Sequence, residues 1–511
     1  MDAISPMLAP DPATIVGWLH AQGAQGLQCD SRGVKKGDAF IAWPGAATDG
    51  RRYVADALAQ GARACLVEDQ GSAAFGFADP RVARCPGLKA LTGLIANTWF
   101  GEPSRALDVI AVTGTNGKTS TAWWIAQAMN GSFGPSSDKS EESVQVRCGH
   151  IGTLGIGVPP DLRFTGLTTP DPVELQRALR RFVDEGLSAC SIEASSIGLA
   201  EGRLDGTHIR RAVFTNLTQD HLDYHGDMHA YGEAKARLFD WEGLRAAVVG
   251  VDDPFGAMLS ERLRGRALDL WTLSSHREAR LSARDIGHEA QGLRFEMVEG
   301  DEAVRVQTRL VGHYNVDNLL AVAAVLRGMG MSLKWIAAAC EALSPVPGRL
   351  QCQGGRGMPL VAVDYAHTPD ALTQTLRALK PLARARGGQL ICLFGCGGLR
   401  DRAKRPLMGH AAESEADRVV ITSDNPRTEP PESIIAEIVA GLLRPQEAQV
   451  DVDRARAISA AVSDAGPHDV LLLAGKGHEE YQEVLGVKTP FSDGEQAARA
   501  LARWQRVRSF G

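Results

Sequence analysis

Residues 114–120, GTNGKTS, have the composition and spacing of a loop that binds the phosphates of a nucleotide. An apolar run at 109–112 precedes them and a helix-like stretch, TAWWIAQAM, follows. The glycines let backbone N–H groups point toward an anion, and the start of the helix adds positive charge. Val112 stands where the usual G-x-x-x-x-G-K-[ST] pattern has its first glycine, so the loop is a shortened form. We predict that Lys118 meets the β- and γ-phosphates and that Thr119 meets a magnesium ion.

Two other stretches carry side chains that bind cations. Glu193 ends the apolar run 189–192, where a carboxylate is costly to bury unless it meets a cation. A magnesium ion shared with the nucleotide satisfies this, and a strand-end glutamate at the surface is the alternative. Residues 218–225, TQDHLDYH, are rich in metal-binding side chains, although histidines in loops are usually just solvated.

The elements that must position these residues are short apolar runs that alternate with helical stretches. The runs at 109–112, 189–192, 212–214 and 246–249 each lead into a polar cluster. Such alternation predicts a parallel sheet covered by helices. The central part of the chain is therefore predicted to be α/β, with a P-loop ATPase-like layout.

A proline-rich break at 345–348, PVPG, separates this part from a second alternating segment. Its predicted strands lie at 360–363, 390–394, 419–422 and 470–474, and each ends in a turn containing Gly or Asp. In open α/β sheets, ligands bind at the carboxyl ends of the strands. We predict a carboxyl-terminal domain with a dinucleotide-fold-like layout and a ligand site at this edge.

Length and composition limit the classes of protein. At roughly 100–200 residues per domain, 511 residues suggest three domains, and we place them at 1–102, 103–344 and 345–511. The formal charge of -6 argues against a nucleic-acid-binding protein. No apolar stretch is long enough to span a membrane, no signal peptide is recognisable, and the nine cysteines are scattered. We expect a cytoplasmic monomer with free thiols, and we predict that the polar segment 131–147 is a mobile loop without function.

The order of the motifs GTNGKT, SIEASS, NLTQDHLDYHG, YGEAKARLF, GHYNVDN, PGRL and VDYAHTPD resembles that of the Mur ligases and their folylpolyglutamate synthetase relatives. The resemblance covers nearly the whole chain. It implies three domains, which bind a UDP-sugar, ATP and an incoming amino acid in that order. It also implies a reaction in which ATP phosphorylates a carboxylate and an amine then attacks the acyl phosphate. Negative charge must be stabilised throughout such a reaction, so cations gather at the transferring group.

The resemblance assigns roles to residues around ATP and Mg²⁺. It implies that Lys235, in YGEAKARLF, is carbamylated and thereby becomes an anionic metal ligand, whereas the pattern alone would place a helical lysine on a solvated face. The implied catalytic residues are Lys118, Glu193, His221, Lys235 and Asp364. The implied metal ligands are Thr119, Glu193, His221 and the carbamate of Lys235. The implied ATP-binding residues are Gly114, Thr115, Asn116, Gly117, Lys118, Thr119, Ser120, His313, Asn315, Asn318 and Arg349.

The first domain is similar to the uridine-binding segment of the tripeptide-forming Mur ligases. The implied partner is UDP-N-acetylmuramoyl-L-alanyl-D-glutamate. The residues implied to contact it are Ser31, Ala46, Ala47, Thr48, Thr168, Thr169, Ser195, Glu201 and Arg203. Two positions depart from the family pattern, because Glu201 stands where some members carry a neutral side chain and Ile197 replaces a frequent histidine.

The tetrapeptide 424–427, DNPR, is associated with ligases that add meso-2,6-diaminopimelate. This amino acid has a second carboxylate that lysine lacks, and an arginine fork pairs with a carboxylate through two hydrogen bonds. The residues implied to bind it are Arg400, Asp424, Asn425, Pro426, Arg427, Gly475 and Glu479. Leu399 replaces the aspartate common before Arg400 in the family.

Three alternatives stay open at this point. A ligase that adds L-lysine is disfavoured by Arg427. A folylpolyglutamate-synthetase-like ligase would share the ATP motifs but lack the first-domain DSR segment and the DNPR tetrapeptide. An ATP-binding regulatory or scaffold module without turnover is disfavoured by the joint presence of Glu193, His221, Lys235 and Asp364.

Overall fold

The computed structural model describes residues 6–45, 48–131, 146–289, 292–355 and 357–509, and it describes no side chains at 288–289 or 507–509. Ala46, Ala47 and most of the predicted polar loop at 131–147 lie outside these residues. Among the described residues, no helix is both long and apolar enough to cross a membrane.

The amino-terminal part of the chain forms a parallel sheet in the order β1-β2-β3-β4. Apolar side chains on the two faces of the sheet form two separate cores. The strands are β1 (Gly26–Gln28), β2 (Asp38–Ala42), β3 (Ala64–Glu68) and β4 (Val82–Cys85). The helices are α1 (Pro12–Ala21), α2 (Val54–Ala59) and α3 (Leu88–Trp99).

The central part forms a mixed sheet in the order β15-β14-β13-β12-β11-β10-β5-β9-β6-β7-β8. The strands are β5 (Asp108–Thr113), β6 (Cys148–Gly152), β7 (Gly155–Val158), β8 (Asp161–Arg163), β9 (Ala189–Glu193), β10 (Arg211–Phe214), β11 (Ala246–Gly250), β12 (Asp269–Ser274), β13 (Leu281–Glu289), β14 (Gly292–Glu299) and β15 (Glu302–Thr308). The helices are α4 (Lys118–Asn130), α5 (Pro172–Asp184), α6 (Ser196–Ala200), α7 (Leu222–His225), α8 (Met228–Ala236), α9 (Pro254–Leu263), α10 (Tyr314–Gly328) and α11 (Leu333–Ala342).

The strands at the middle of this sheet are parallel, as predicted, and helices cover them on both faces. At its edges the sheet has antiparallel strands that the prediction did not include, since β13, β14 and β15 form one antiparallel meander and β6, β7 and β8 another. Burial alternates along β14, with Leu293, Phe295 and Met297 buried between less buried neighbours. This period of two is typical of an antiparallel sheet with one face covered, whereas buried parallel strands are apolar throughout.

The carboxyl-terminal part forms a sheet in the order β16-β17-β21-β18-β19-β20, which is parallel except for β16. Helices cover both faces, as in a dinucleotide-binding fold, and β22 and β23 form a separate hairpin. The strands are β16 (Gln351–Gly354), β17 (Leu360–Asp364), β18 (Leu390–Phe394), β19 (Arg418–Ile421), β20 (Gln449–Val450), β21 (Val470–Ala474), β22 (Tyr481–Val484) and β23 (Val487–Pro490). The helices are α12 (Pro369–Arg386), α13 (Lys404–Glu415), α14 (Pro431–Val439), α15 (Arg454–Asp464) and α16 (Asp493–Ser509).

The three predicted segments thus contain three sheets with their own apolar cores. The α/β class and the parallel central and carboxyl-terminal sheets are confirmed. The boundaries at 102/103 and 344/345 fall in connections between the sheets and stay a prediction.

Candidate active site

A cleft of about 2020 Å³ lies between the central and carboxyl-terminal sheets. Its walls are formed largely by loops that follow the carboxyl ends of strands in both sheets. The sequence-predicted residues that line it are Thr115, Asn116, Gly117, Lys118, Thr119, Ser120, Thr168, Thr169, Glu193, Ser195, Arg203, His221, Lys235, His313, Asn315, Asn318, Arg349, Asp364, Arg400, Asp424, Asn425, Arg427, Gly475 and Glu479. One cavity therefore joins the predicted nucleotide site to the predicted amino-acid site.

The predicted phosphate loop connects β5 to α4, and close neighbours explain its two glycines. A Cβ on Gly114 would lie 1.9 Å from the hydroxyl oxygen of Thr215, and one on Gly117 would lie 2.2 Å from the side-chain oxygen of Asn318. Both glycines also have positive φ angles, 139° and 86°. Gly117 directly precedes α4, so the first N–H groups of this helix face the loop.

Lys118 is the first residue of α4, and its side chain folds back over the loop. The ammonium group donates hydrogen bonds to the carbonyl oxygens of Gly114, at 2.9 Å, and Thr115, at 2.8 Å. Burial lowers the pKa of Lys118, while the nearby carboxylates of Glu193 and Asp220 oppose this shift. The lysine is thus held within the loop that it is predicted to serve.

Glu193, at the end of β9, is fully buried and faces the same loop. Its carboxylate accepts hydrogen bonds from the hydroxyl of Thr119 at 2.8 Å, the N–H of Thr153 at 2.8 Å and the hydroxyl of Thr153 at 3.2 Å. These three hydrogen-bond donors are neutral, and the positive charge of Lys118 lies close to the carboxylate. Mg²⁺ commonly binds through one or two carboxylates together with phosphate oxygens and water, so Glu193 and Thr119 fit this ion.

The other two predicted metal ligands have separate partners. Lys235 is only 1% exposed, and its ammonium group donates to the carbonyl oxygen of Gly114 at 2.7 Å. Burial and the neighbouring Lys118 hold the pKa of Lys235 well below its usual value, which favours the neutral, nucleophilic amine. His221 is exposed, and its Nε2 lies 3.6 Å from the carboxylate of Asp220. Among the described residues there is no group of three or more Asp, Glu, His or Cys side chains that could hold a metal.

Arg349 and Asp364 connect the phosphate loop to the carboxyl-terminal sheet. Arg349 donates to the hydroxyl of Thr119 at 3.2 Å, and its guanidinium carbon lies 4.7 Å from the ring centre of Tyr365. Asp364 ends β17 and accepts from the N–H groups of Leu350 and Ala366, both at 2.8 Å. Burial raises the pKa of Asp364, although Arg349 acts in the opposite direction. A shift of one domain against the other would therefore move Arg349 relative to the phosphate loop.

The residues at the start of α10 line the part of the cleft that is predicted to bind the nucleotide. The rings of His313 and His276 stack with centres 5.4 Å apart. Asn315 donates to the carbonyl of Val311 at 2.7 Å, and Asn318 donates to the side-chain oxygen of Asn315 at 3.0 Å. These bonds hold the amides of GHYNVDN in place beside Gly117.

Four residues predicted to contact the muramoyl dipeptide form one cluster around the end of β9. Thr169 donates to the carbonyl of Glu193 at 2.7 Å, its hydroxyl lies 3.0 Å from that of Ser195, and its carbonyl accepts from Arg203 at 2.9 Å. Thr168 shares a hydrogen bond with Thr153 at 3.0 Å. The cluster lies directly beside the candidate magnesium ligand.

The other predicted contacts of this substrate lie outside the cleft lining. Glu201 follows α6, and its carboxylate is bound by Lys89, from α3 of the amino-terminal domain, and by the hydroxyl of Tyr224. Ser31 begins a short 3₁₀ helix, and the hydroxyl of Thr48 lies 3.3 Å from that of Tyr53. The structure therefore places Glu201 in a contact between two domains.

Asp424, Asn425 and Glu479 meet around a fully buried cation, Lys476. The Lys476 ammonium lies 3.0 Å from the side-chain oxygen of Asn425, 3.3 Å from Glu479 and 3.5 Å from Asp424. The amide of Asn425 also donates to Glu479 at 2.7 Å. A Cβ on Gly475 would lie 2.6 Å from a carboxylate oxygen of Asp424, which explains the glycine. Burial and the nearby Asp424 raise the pKa of Glu479, and Lys476 opposes the shift.

Arg427 and Arg400 bring positive charge to the same end of the cleft. Arg427 donates to the carbonyl oxygen of Gly398 at 2.7 Å, and its Nε lies 3.9 Å from the carboxylate of Glu483. Its N–H donates to the carbonyl of Glu483 at 3.0 Å, which ties the DNPR turn to β22. Arg400 is exposed in the turn that follows β18. The carbonyl of Pro426 lies close to Gly398 in the same turn. The lining at this end of the cleft thus contains both carboxylates and guanidinium groups, which suits a zwitterionic ligand.

Comparison with known proteins places this geometry in a family. Three family models match the chain, namely Mur ligase family, catalytic domain at 24–88, Mur ligase middle domain at 112–326, and Mur ligase, glutamate ligase domain at 348–477. The UDP-N-acetylmuramoyl-L-alanyl-D-glutamate--2,6-diaminopimelate ligase of Acidovorax sp. (strain JS42) is 56% identical over 488 residues, which cover 96% of each chain.

The chain belongs to the Mur ligase family. A solved structure of a UDP-N-acetylmuramoyl-L-alanyl-D-glutamate--2,6-diaminopimelate ligase superposes with a TM-score of 0.64 at 37% identity, over 94% of this chain and 95% of that one. The folylpolyglutamate synthase of Mycobacterium tuberculosis, solved with ADP and AMPPCP, has a TM-score of 0.59 at 19% identity and covers 76% of this chain and 92% of its own. The second likeness shows a shared fold alone.

Several residues of this Mur ligase site lie in recognised motifs but had no predicted role. Lys476 stands between Gly475 and Glu479 in AGKGHEEY, so its place in this motif could have indicated a role in the amino-acid site. Asp220 lies beside His221, and the neighbouring basic side chains, Lys118 among them, lower its pKa against the effect of burial. Burial, together with Lys404, lowers the pKa of His367 to about 4. His276, which stacks on His313, belongs to no motif that pointed to it.

Proposed function

We propose that this Mur ligase joins meso-2,6-diaminopimelate to the D-glutamate carboxylate of UDP-N-acetylmuramoyl-L-alanyl-D-glutamate, with ATP, in the synthesis of peptidoglycan precursors. The observation that carries the proposal is the end of the cleft whose lining includes Arg427, Asp424 and Glu479. A free amino-acid end has one carboxylate and one ammonium group, and the pocket offers a partner for each. The names of the similar ligases support the same substrates.

The reaction we propose has two steps. The glutamate carboxylate attacks the γ-phosphorus of ATP, which gives an acyl phosphate and releases ADP. The amine of diaminopimelate then attacks the acyl carbon, loses a proton and expels phosphate. Lys118 and Arg349 carry the positive charge that the migrating phosphoryl group requires, and Gly114–Ser120 hold the phosphates through backbone N–H groups. Asp364 positions Arg349 through the N–H of Leu350.

We propose that Thr119 and Glu193 hold Mg²⁺ against the phosphates, where the ion would neutralise negative charge. We further propose that His221 and a carbamate on Lys235 would supply ligands to a metal ion. The buried, neutral amine of Lys235 is the form that reacts with carbon dioxide, which supports the carbamate. His313, Asn315 and Asn318 are proposed to bind the nucleoside.

For the UDP-muramoyl dipeptide we propose Thr168, Thr169, Ser195 and Arg203 at the peptide end. Ser31, Ala46, Ala47 and Thr48 would hold the uridine end. We propose that the chain acts as a monomer. Free thiols are typical of a reducing compartment, and the described cysteines form no disulfide, which supports action in the cytoplasm.

The test is release of ADP in the presence of ATP, Mg²⁺ and the UDP-muramoyl dipeptide, with diaminopimelate or L-lysine added separately. We expect ADP release that depends on both carbon substrates and is much faster with diaminopimelate. Lys118→Ala serves as the control for contaminating ATPases. A higher kcat/KM with lysine would overturn the proposed amino acid, and ADP release independent of any amine would overturn the ligase reaction.

A further inference from the structure

An ion pair between Arg454 and Asp493 is fully buried beneath the proposed amino-acid pocket, with both side chains 0% exposed. Arg454 is the first residue of α15 and Asp493 the first residue of α16. The Nε and one terminal nitrogen of the guanidinium donate to the two carboxylate oxygens at 2.7 and 2.6 Å. This fork against fork arrangement fixes the plane of the guanidinium group.

The remaining donors of Arg454 bind the backbone at the ends of two strands. One donates to the carbonyl of Ser423 at 3.3 Å and another to the carbonyl of Ala474 at 2.9 Å. Ser423 directly precedes Asp424, and Ala474 directly precedes Gly475. Strands β19 and β21 are not neighbours, because β18 lies between them in the sheet. The guanidinium therefore ties together two loops that the sheet itself does not join by direct strand pairing.

The two loops contact each other through polar groups that require an accurate spacing. Lys476 and Glu479 on one loop bind the side chain of Asn425 on the other, at 3.0 and 2.7 Å. Gly475 lies so close to Asp424 that a Cβ would not fit. A small shift of one strand end would therefore separate the groups that form the pocket.

Stability gives a weak reason for such a pair. Two buried charges lose their hydration, and well-packed apolar residues of similar size are often equally stabilising or more so. The planar, five-donor guanidinium is suited instead to binding a carboxylate and two carbonyls in fixed directions, which an apolar side chain cannot do.

We propose that Arg454, oriented by Asp493, is a positioning residue that sets the spacing of the 423–427 and 474–479 loops for the incoming amino acid. The inference rests on the proposed function of this pocket. It predicts a selective effect, because the phosphate loop and the amino-terminal domain make no contact with Arg454 among the bonds described for it.

The first test is Arg454→Lys, which keeps the charge and loses the fork. We expect the KM for diaminopimelate to rise by roughly 10- to 100-fold, since a displacement near 1 Å in a site has effects of this size. The KM values for ATP and the UDP-muramoyl dipeptide should change by less than about twofold, within the usual range for sites that do not couple. Arg456→Lys is the matched control, because Arg456 lies on the same helix but is 67% exposed and pairs with Asp451. It should leave all three KM values unchanged.

A second variant distinguishes the proposed effect from misfolding. Arg454→Met combined with Asp493→Leu removes both charges and leaves neither one buried alone. We expect a somewhat lower thermal unfolding midpoint, because the carbonyls of Ser423 and Ala474 lose a donor, together with a cooperative transition and the same selective rise in the KM for diaminopimelate. An unchanged KM for diaminopimelate in both variants would overturn the proposal, and so would an equal loss of kcat/KM for all three substrates, which a purely structural role predicts. Failure of the proposed function is distinguishable, because the parent itself would then show no ADP release dependent on diaminopimelate.

Discussion

Replacing Arg427 with alanine should abolish most of the preference for diaminopimelate over lysine. One terminal nitrogen of the guanidinium is used by the carbonyl of Gly398, and the carboxylate of Glu483 lies 3.9 Å from Nε. Among the described residues no acceptor binds the other terminal nitrogen, so its donors can serve a ligand carboxylate. A hydrogen bond to a charged group contributes about 1.5–3 kcal/mol, so its loss should lower kcat/KM for diaminopimelate by roughly 10- to 100-fold.

The backbone should hold its position in this variant. Arg427 has a φ of 54°, and both its N–H and its carbonyl bond to the β22–β23 hairpin. Alanine bears the same backbone cost as arginine at this φ, whereas glycine would relax it and confuse the comparison. The change is therefore confined to the side chain.

The assay is the ratio of kcat/KM for diaminopimelate to that for lysine, in the parent, Arg427→Ala and Arg427→Lys. Lysine lacks the distal carboxylate, so its own kcat/KM should change little or improve. Arg427→Lys keeps the charge without the fork and should recover part of the ratio. Arg402→Ala is the control, since Arg402 is 67% exposed and pairs with Glu437. An unchanged ratio in Arg427→Ala would refute the reasoning and place the discrimination elsewhere in the pocket.

The remaining predictions concern the nucleotide side of the cleft. Lys235→Ala should fold normally and lose most activity, with partial recovery when a short carboxylic acid is added; full activity without the acid would contradict the carbamate. Lys118→Ala should slow acyl-phosphate formation but leave binding of the UDP-muramoyl dipeptide intact, as measured by calorimetry, and an equal loss of both would indicate misfolding instead. Burial raises the pKa of Asp317 to about 6, so its stabilising protonated form is lost as the pH rises through that value. The free energy of unfolding of Asp317→Asn minus that of the parent should therefore be larger at pH 7.5 than at pH 4.5, as measured by urea denaturation. A difference that does not change with pH would contradict the raised pKa.

Local sequence patterns predicted the elements that carry the site. The phosphate loop could be located because its glycines, Lys118 and the start of α4 are contiguous, and backbone geometry there depends on neighbours in the chain. Continuous apolar runs predicted the parallel strands, since strands buried on both faces select such residues. The DNPR tetrapeptide pointed to the amino-acid end of the cleft only through the resemblance to the Mur ligases.

The tertiary structure alone decided which of these residues touch. Glu193 and Thr119 are 74 positions apart in the chain, yet they share a hydrogen bond. Packing between distant segments likewise decides three other contacts. These are the contact of buried Lys235 with Gly114, the ion pair of Glu201 with Lys89, and the hydrogen bond of Arg454 to Ala474. The physical reason is that burial and electrostatic environment are properties of the assembled neighbourhood. A carboxylate or an ammonium group looks the same in the sequence whether it ends in water, in an ion pair or beside a phosphate loop.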